Sequence, residues 1–157
     1  MKICFLSLNS YPILAEKNLG FVAGGAEVQQ VLLAKELVSY GYDVSFVTYD
    51  HGQEDVEYME SIEIIKTYPR EKIYELSRLL KIRYIWKALN EANADLYFHS
   101  SGSLGVASLF CFMKKRKFIF RIPSDMVVLR RYGKVVDTSA EWLDIKIADA
   151  VIVQSEF

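Results

Sequence analysis

Two adjacent glycines, Gly24 and Gly25, stand directly ahead of Ala26 and Glu27, and from there apolar residues recur with helical spacing. The start of a helix leaves its first amide N–H groups without intrahelical partners and carries the positive end of the dipole. Glycines at that point let the backbone approach an anion with no Cβ in the way. The chemistry predicted for Gly24, Gly25, Ala26 and Glu27 is therefore the binding of a phosphate or similar group, although a plain helix cap would use the same residues. Further candidates are the polar residues that follow strand-like apolar runs: Asn9-Ser10-Tyr11-Pro12, Tyr49-Asp50, His99-Ser100-Ser101-Gly102, Arg121 with Ser124-Asp125, and Gln154-Ser155. In open α/β sheets, ligands bind outside the carboxyl ends of the strands.

Several familiar devices are absent. The dinucleotide fingerprint needs G-x-G-x-x-G in a tight turn after the first strand, and Gly20, Gly24 and Gly25 lie too far along for that. Asp50 stands where a ribose-binding acid would, but without the glycine turn it is a weak signal. No Gly-Lys-Ser/Thr follows, so there is no P-loop. The two histidines, His51 and His99, have no Cys or carboxylate at ligand spacing, and no metal is expected. Gly102-Ser103-Leu104-Gly105 lacks the spacing of a nucleophile elbow. His99 at a strand end would bind a hydroxyl or phosphate, or sit as a satisfied half-buried side chain.

The elements that must position these residues alternate along the chain. Ile3 to Leu8 reads as a strand buried on both faces. A sixteen-residue polar stretch from Asn9 to Gly24 follows, well beyond an ordinary βα connection. A helix then buries Val28, Val31, Leu32, Ala34, Leu37 and Val38, with Glu27, Gln30, Lys35 and Ser39 toward solvent or a partner, and stops at Gly41. Val44–Thr48 and Ile62–Ile65 read as strands. Residues 70–92 read as one or two amphipathic helices with Ile73, Leu76, Leu79, Leu80 and residues 82–86 as apolar matter. A strand over 94–99, a buried helix over 104–113, a strand over 117–122, a helix over 138–148 capped by Thr138 or Ser139, and a strand over 151–153 complete the pattern. Strands alternating with helices predict an α/β fold with a mainly parallel sheet.

The 157 residues are 52% apolar and carry a net charge of −1, which excludes a disordered chain. The longest charge-free apolar run, 104–113, is about half the ~20 residues of a membrane span. Met1-Lys2 leads straight into a strand, and the expectation is a domain without a signal peptide, in the cytoplasm. Cys4 and Cys111 lie in apolar runs and are expected as buried free thiols. Residues 1–69 sum to −6, residues 70–134 to +9 and residues 135–157 to −4. So basic a middle third implies either an anionic partner or a solvated helical face. Lys114–Lys117 reads as a solvated turn, whereas Arg130, Arg131 and Lys134, beside Leu129 and Tyr132, are candidates for an anionic surface such as an acidic membrane. Ser155-Glu156-Phe157 reads as the opening of a further helix, which predicts that the domain is part of a larger protein.

Met1–Leu6, Tyr11-Pro12, Gly24-Gly25-Ala26-Glu27 and the run from Leu37 through Gly41 to Val44 together resemble the start of retaining glycosyltransferases of the GT-B fold. The chain is most similar to glycosyltransferase family 4, and the run from Ile147 to Phe157 resembles the last strand of that family's N-terminal domain. The resemblance implies a Rossmann-like three-layer α/β/α domain over residues 1–157, one half of a GT-B fold. By the same resemblance the acceptor would bind on this side, and a donor-binding C-terminal domain with a pair of glutamates would lie outside this chain. It also implies that the glycine loop reaches the diphosphate of a nucleotide sugar, that Tyr11, His99, Ser100, Arg121, Ser124 and Asp125 line the cleft, and that no metal or cofactor is required. Many relatives carry a histidine just after the strand ending at Ile122. Here the chain reads Arg121-Ile122-Pro123-Ser124-Asp125, and Arg121 would suit a more anionic acceptor.

Two functions are thus expected. The first is the N-terminal domain of a transferase that moves a sugar from a nucleotide-sugar donor to a sugar or lipid-linked acceptor, inactive as an isolated half. The alternative is a non-catalytic α/β module, or one subunit of a split transferase, that recognises an anionic ligand or membrane surface. Nucleic acid is not an expected partner.

Overall fold

A computed structural model of the chain describes residues 1–17, 24–100, 105–122 and 135–153. The elements run β1 (Lys2–Leu6), α1 (Tyr11–Leu14), α2 (Gly25–Ser39), β2 (Asp43–Asp50), β3 (Val56–Met59), β4 (Ile62–Pro69), a 3₁₀ turn (Arg70–Lys72), α3 (Arg78–Ala92), β5 (Leu96–His99), α4 (Val106–Lys114), β6 (Lys117–Arg121), α5 (Val135–Ile147) and β7 (Ala150–Ile152). The strands form one sheet in the order β3-β4-β2-β1-β5-β6-β7. All neighbours are parallel except β3, which returns antiparallel on β4. The chain builds outward from β1 through β2 to β4, then crosses back through α3 to place β5 on the other side of β1. That reversal makes the carboxyl ends of β1 and β5 the switch point of the sheet, where α/β folds open a crevice.

Period-two alternation sends side chains to two cores, one on each face. Ile3, Phe5, Val44, Phe46, Ile62, Ile64 and Phe98 pack under α1 and α2 with Val31 and Ala34. Cys4, Leu6, Val47, Ile65, Tyr97, Phe118 and Phe120 pack under α3 and α4 with Ile85, Leu89, Val106 and Phe110. The result is a three-layer α/β/α sandwich of the Rossmann-like kind. Both cysteines are buried free thiols, and burial pushes each up to about 12.

The local signals explain most boundaries. Helix α2 ends in a Schellman turn: the Tyr42 N–H donates to Leu37 O and the Gly41 N–H to Val38 O, with Gly41 at φ +82°. Ser77 caps α3, its Oγ accepting from the Leu80 N–H at 3.4 Å. The basic turn at 114–117 is partly paired, with Arg116 bonded to Asn93 and Lys117 to Asp149.

Several expectations need correction. Val28 and Leu32 of α2 face solvent, while Gln30 is buried with Val31 and Ala34. The helix lies on the sheet along the row Ala26-Gln30-Ala34-Val38, spaced by four, so its polar member goes inward. Leu79 and Leu80 of α3 are exposed, away from the buried row Ile85, Ala88, Leu89 and Ala92, and Tyr84 sits at the flank with its ring 6.1 Å from Tyr68. Helix α4 begins at Val106 and exposes Leu109, Phe112 and Met113, because it packs on the layer through one side only. Helix α5 starts at Val135, so Thr138 and Ser139 lie inside it and do not cap it. The long stretch after β1 contains the short helix α1, and β3 forms where no strand was expected. Among the described residues, no helix is long and apolar enough to cross a membrane.

Candidate functional site

At the switch point the turn after β1, the first turn of α2 and the end of β5 meet around a small hollow of about 80 Å³. Its polar walls are Asn9, Glu27, Gln30 and Ser100, with Tyr49 at the end of β2 closing one side. The turn after β1 is fixed by its own hydrogen bonds. Ser7 and Ser10 share a 2.6 Å bond through their hydroxyls, and the Tyr49 N–H donates to Leu8 O at 2.8 Å. Two buried polar atoms on the wall, Gln30 Oε1 and Ser100 Oγ, have no partner among the described residues. Gln30 uses its other end, Nε2, to bond Ala26 O at 3.2 Å. Unpartnered polar atoms in a hollow of this size suit water or a ligand hydroxyl.

The mouth of the hollow is the N-terminus of α2. Gly24 is the N-cap in extended conformation, and the first intrahelical bond is the Val28 N–H to Gly24 O. The amides of Gly25, Ala26 and Glu27 therefore have no intrahelical acceptor. No atom of the described residues lies within 4 Å of where a Cβ on Gly25 would sit. At Gly24 the same position lies 2.6 Å from Glu27 Oε2, so the Glu27 carboxylate is folded back over the helix start. A carboxylate repels a phosphate, so an anion at this helix start would require Glu27 to swing aside.

His99, one residue before Ser100, does not line the hollow and turns to the opposite face of the sheet. Its ring is buried in the α3–α4 core, with Nδ1 bonded to Leu6 O at 2.9 Å across the β1–β5 pairing. A carbonyl accepts only, so Nδ1 carries the proton and Nε2, buried without a partner, keeps its lone pair. Burial outweighs the carbonyl contact and lowers the imidazole to about 4, so His99 is neutral at ordinary pH. It is fully buried rather than half-buried. Arg121, at the end of β6, is also buried, and its guanidinium bonds to Gln29 of α2. Burial depresses it below its ordinary value. It ties the sheet to α2 beside the hollow.

Tyr11 goes elsewhere. It is buried in α1, stacks on His51 with ring centroids 5.6 Å apart, and donates to Glu57 Oε2 at 3.2 Å. Together with Lys17, Gln53 and Glu54 these residues border a second hollow of about 320 Å³ beyond the end of β2. Asp50 accepts from the Gly52 N–H at 2.8 Å and closes a turn. Ser124, Asp125, Arg130, Arg131 and Lys134 lie outside the described residues, as do Gly20, the residues 101–104 and 154–157, and Pro123. The structure thus brings Ala26, Glu27 and Ser100 to one hollow with Gly24 and Gly25 at its mouth, leaves His99 and Arg121 outside its lining, and sets Tyr11 apart. Gln30 was missed. The signal for it was the four-residue row it shares with Ala26, Ala34 and Val38.

Among solved structures, the chain is similar to sucrose-phosphate synthase from Thermosynechococcus elongatus, with a TM-score of 0.64 and 19% identity over 99% of this chain and 42% of that one. It is also similar to HepE from Anabaena, solved in complex with UDP and glucose, with a TM-score of 0.60 and 18% identity over 96% of this chain and 37% of that one. At such identities the likeness establishes the fold, and the chain spans about two fifths of the length of either protein. No curated protein sequence matches. The family model for Glycosyltransferase Family 4 matches residues 23–157, a span that includes the helix start at Gly24 and Gly25 and all that follows it. The chain belongs to glycosyltransferase family 4.

Proposed function

We propose that this chain is the acceptor-side domain of a transferase that moves a sugar from a nucleotide-sugar donor to a hydroxyl-bearing acceptor, with retention at the anomeric carbon. A second Rossmann-like domain, in the same polypeptide or in a partner subunit, holds the donor. The observation that carries this reading is the empty space at Gly25. Among the described residues nothing would obstruct alanine there, which would favour the helix by up to about 1 kcal/mol, so we read the glycine as answering to something approaching from outside. A donor diphosphate is the group that suits it. As the sugar leaves, negative charge grows on the diphosphate, and the amides of Gly25, Ala26 and Glu27 are already oriented to receive it. A helix start contributes about 0.3–2 kcal/mol toward such a charge. Gln30 and Ser100, just inside, would accept or donate to sugar hydroxyls. The UDP and glucose of the HepE complex support a nucleotide sugar as the donor class. No cofactor enters this scheme. Two buried thiols suit a reducing compartment, and we place the enzyme in the cytoplasm. The isolated half is expected to be inactive, because in this reading the rest of the donor is held by the other domain.

The test uses the full polypeptide. It is screened against uridine, guanosine and adenosine diphosphate sugars for release of the nucleoside diphosphate, and Gly25→Ala is then compared with the wild type. The expected result is sugar transfer from one donor class, with kcat/KM lowered about tenfold or more in Gly25→Ala while the melting temperature holds or rises. Absence of transfer with every donor, or an unchanged kcat/KM in Gly25→Ala, would sink the proposal.

A further inference from the structure

Gly24 and Gly25 are neighbours, yet the space beside them is used in different ways. A Cβ on Gly25 would meet no described atom within 4 Å, whereas one on Gly24 would lie 2.6 Å from Glu27 Oε2. The protein's own carboxylate thus occupies the place beside the first glycine. Glu27 stands in the first turn of α2, where an acid folding back toward the N-cap forms one half of a capping box. Gly24 has no side chain to supply the other half. Glu27 makes no ion pair among the described residues, and the positive end of the helix dipole is the charge that favours its position.

The same carboxylate borders the hollow. Within that hollow Gln30 is 3% and Ser100 4% exposed, and Gln30 Oε1 and Ser100 Oγ have no partner among the described residues. Buried polar atoms left in this state call for a ligand or water on grounds independent of the helix start. An acid at the mouth of such a hollow competes with any anion that enters.

We infer that Glu27 is a displaceable internal anion, whose carboxylate occupies the start of α2 until the donor's diphosphate drives it aside, and which thereby sets how tightly the donor is held. The inference rests on the transferase reading for the identity of the diphosphate. A diphosphate wins the exchange because it carries more charge than one carboxylate and can accept from several amides at once. The cost of moving Glu27 weakens binding of the donor. After transfer, the returning carboxylate competes with the nucleoside diphosphate and favours its departure.

The test is titration of the full polypeptide with inorganic pyrophosphate, which carries the diphosphate without base or sugar. Glu27→Gln keeps a side chain suited to the capping position and removes the charge, so it should bind pyrophosphate about fivefold more tightly with the melting temperature little changed. The gain should shrink as salt rises. Glu36→Gln, the same change of net charge on the exposed part of the same helix, should bind as the wild type does. Adding Gly25→Ala to Glu27→Gln should remove the gain, which assigns it to the helix start. Equal or weaker binding by Glu27→Gln, an equal gain in Glu36→Gln, a gain that survives Gly25→Ala, or no pyrophosphate binding by any variant overturns the inference. A merely structural cap would lower the melting temperature and leave the affinity alone. Transfer is assayed on the same proteins. An unchanged affinity in Glu27→Gln with transfer intact counts against the inference alone, and the gain in affinity without transfer from any donor counts against the enzyme reading alone.

Discussion

His99 and Asp144 are buried ionisable side chains that pull stability in opposite directions with pH. Asp144 of α5 accepts from the Ser108 hydroxyl of α4, and burial, opposed by that hydrogen bond, raises its carboxyl to about 6. A raised carboxyl favours the fold while protonated, so its contribution is complete below about pH 4 and is lost as pH climbs through 6. It amounts to at most about 3 kcal/mol. His99 is lowered to about 4, so the folded state resists its protonation and stability is lost as pH falls from about 6.5 through 4. The two slopes oppose each other over most of that window. Asp144→Asn should therefore uncover the histidine, with the melting temperature falling between pH 6.5 and 4 more steeply than in the wild type. In the same window, the His99 ring resonances should stay at their neutral positions down to about pH 5. A midpoint near 6.5 by NMR would contradict the buried site.

At the scale of elements, caps and packing rows decide what each helix does. The Ser77 hydroxyl is the side-chain acceptor at the start of α3, and Ser77→Ala should cost about 1 kcal/mol, read as a lower urea midpoint at unchanged slope. Helix α2 shows how a packing row can override composition. Val28 and Leu32 were expected inside by their type, yet the row that reaches the sheet carries Gln30. The reason is that α2 meets strands whose side chains on that face, Phe5, Phe46 and Phe98, are large. Ala26 and Ala34 allow close approach there, and Gln30 lies between them in the row. Helix α3 behaves in the opposite way, leaving Leu79 78% and Leu80 43% exposed among the described residues.

For the whole molecule, the central strand is the point of greatest dependence. Phe5 stacks on Phe46 at 5.0 Å and meets Phe98 at a tilt at 5.1 Å, and so joins β1 to both of its neighbours. Phe5→Ala should lower stability by about 3–5 kcal/mol in urea denaturation, a large part of the ~5–15 kcal/mol available to a domain. A loss below about 1 kcal/mol would mean that the two halves of the sheet hold together without it. The same strand sets the site, because the reversal from β4 to β5 around β1 opens the crevice between the two carboxyl ends.

Local chemistry in the chain was enough to determine the alternation of strands and helices, the parallel sheet, the Gly41 stop, the buried thiols and the helix start at Gly24 and Gly25. Each depends on neighbours within a few residues, through backbone freedom, capping or the period of apolar side chains. Gln30, the antiparallel β3 and the outward leucines of α3 depend on how elements dock, and so only the tertiary structure decided them. The same is true of the separation of Tyr11 from Ser100. Both follow strands at the carboxyl edge, but one lies under the β3 hairpin and the other at the switch point, and that distinction comes from strand order. The neutrality of His99 belongs to this second class as well, since the loss of water that lowers its basicity arises only when α3, α4 and the sheet close around the ring.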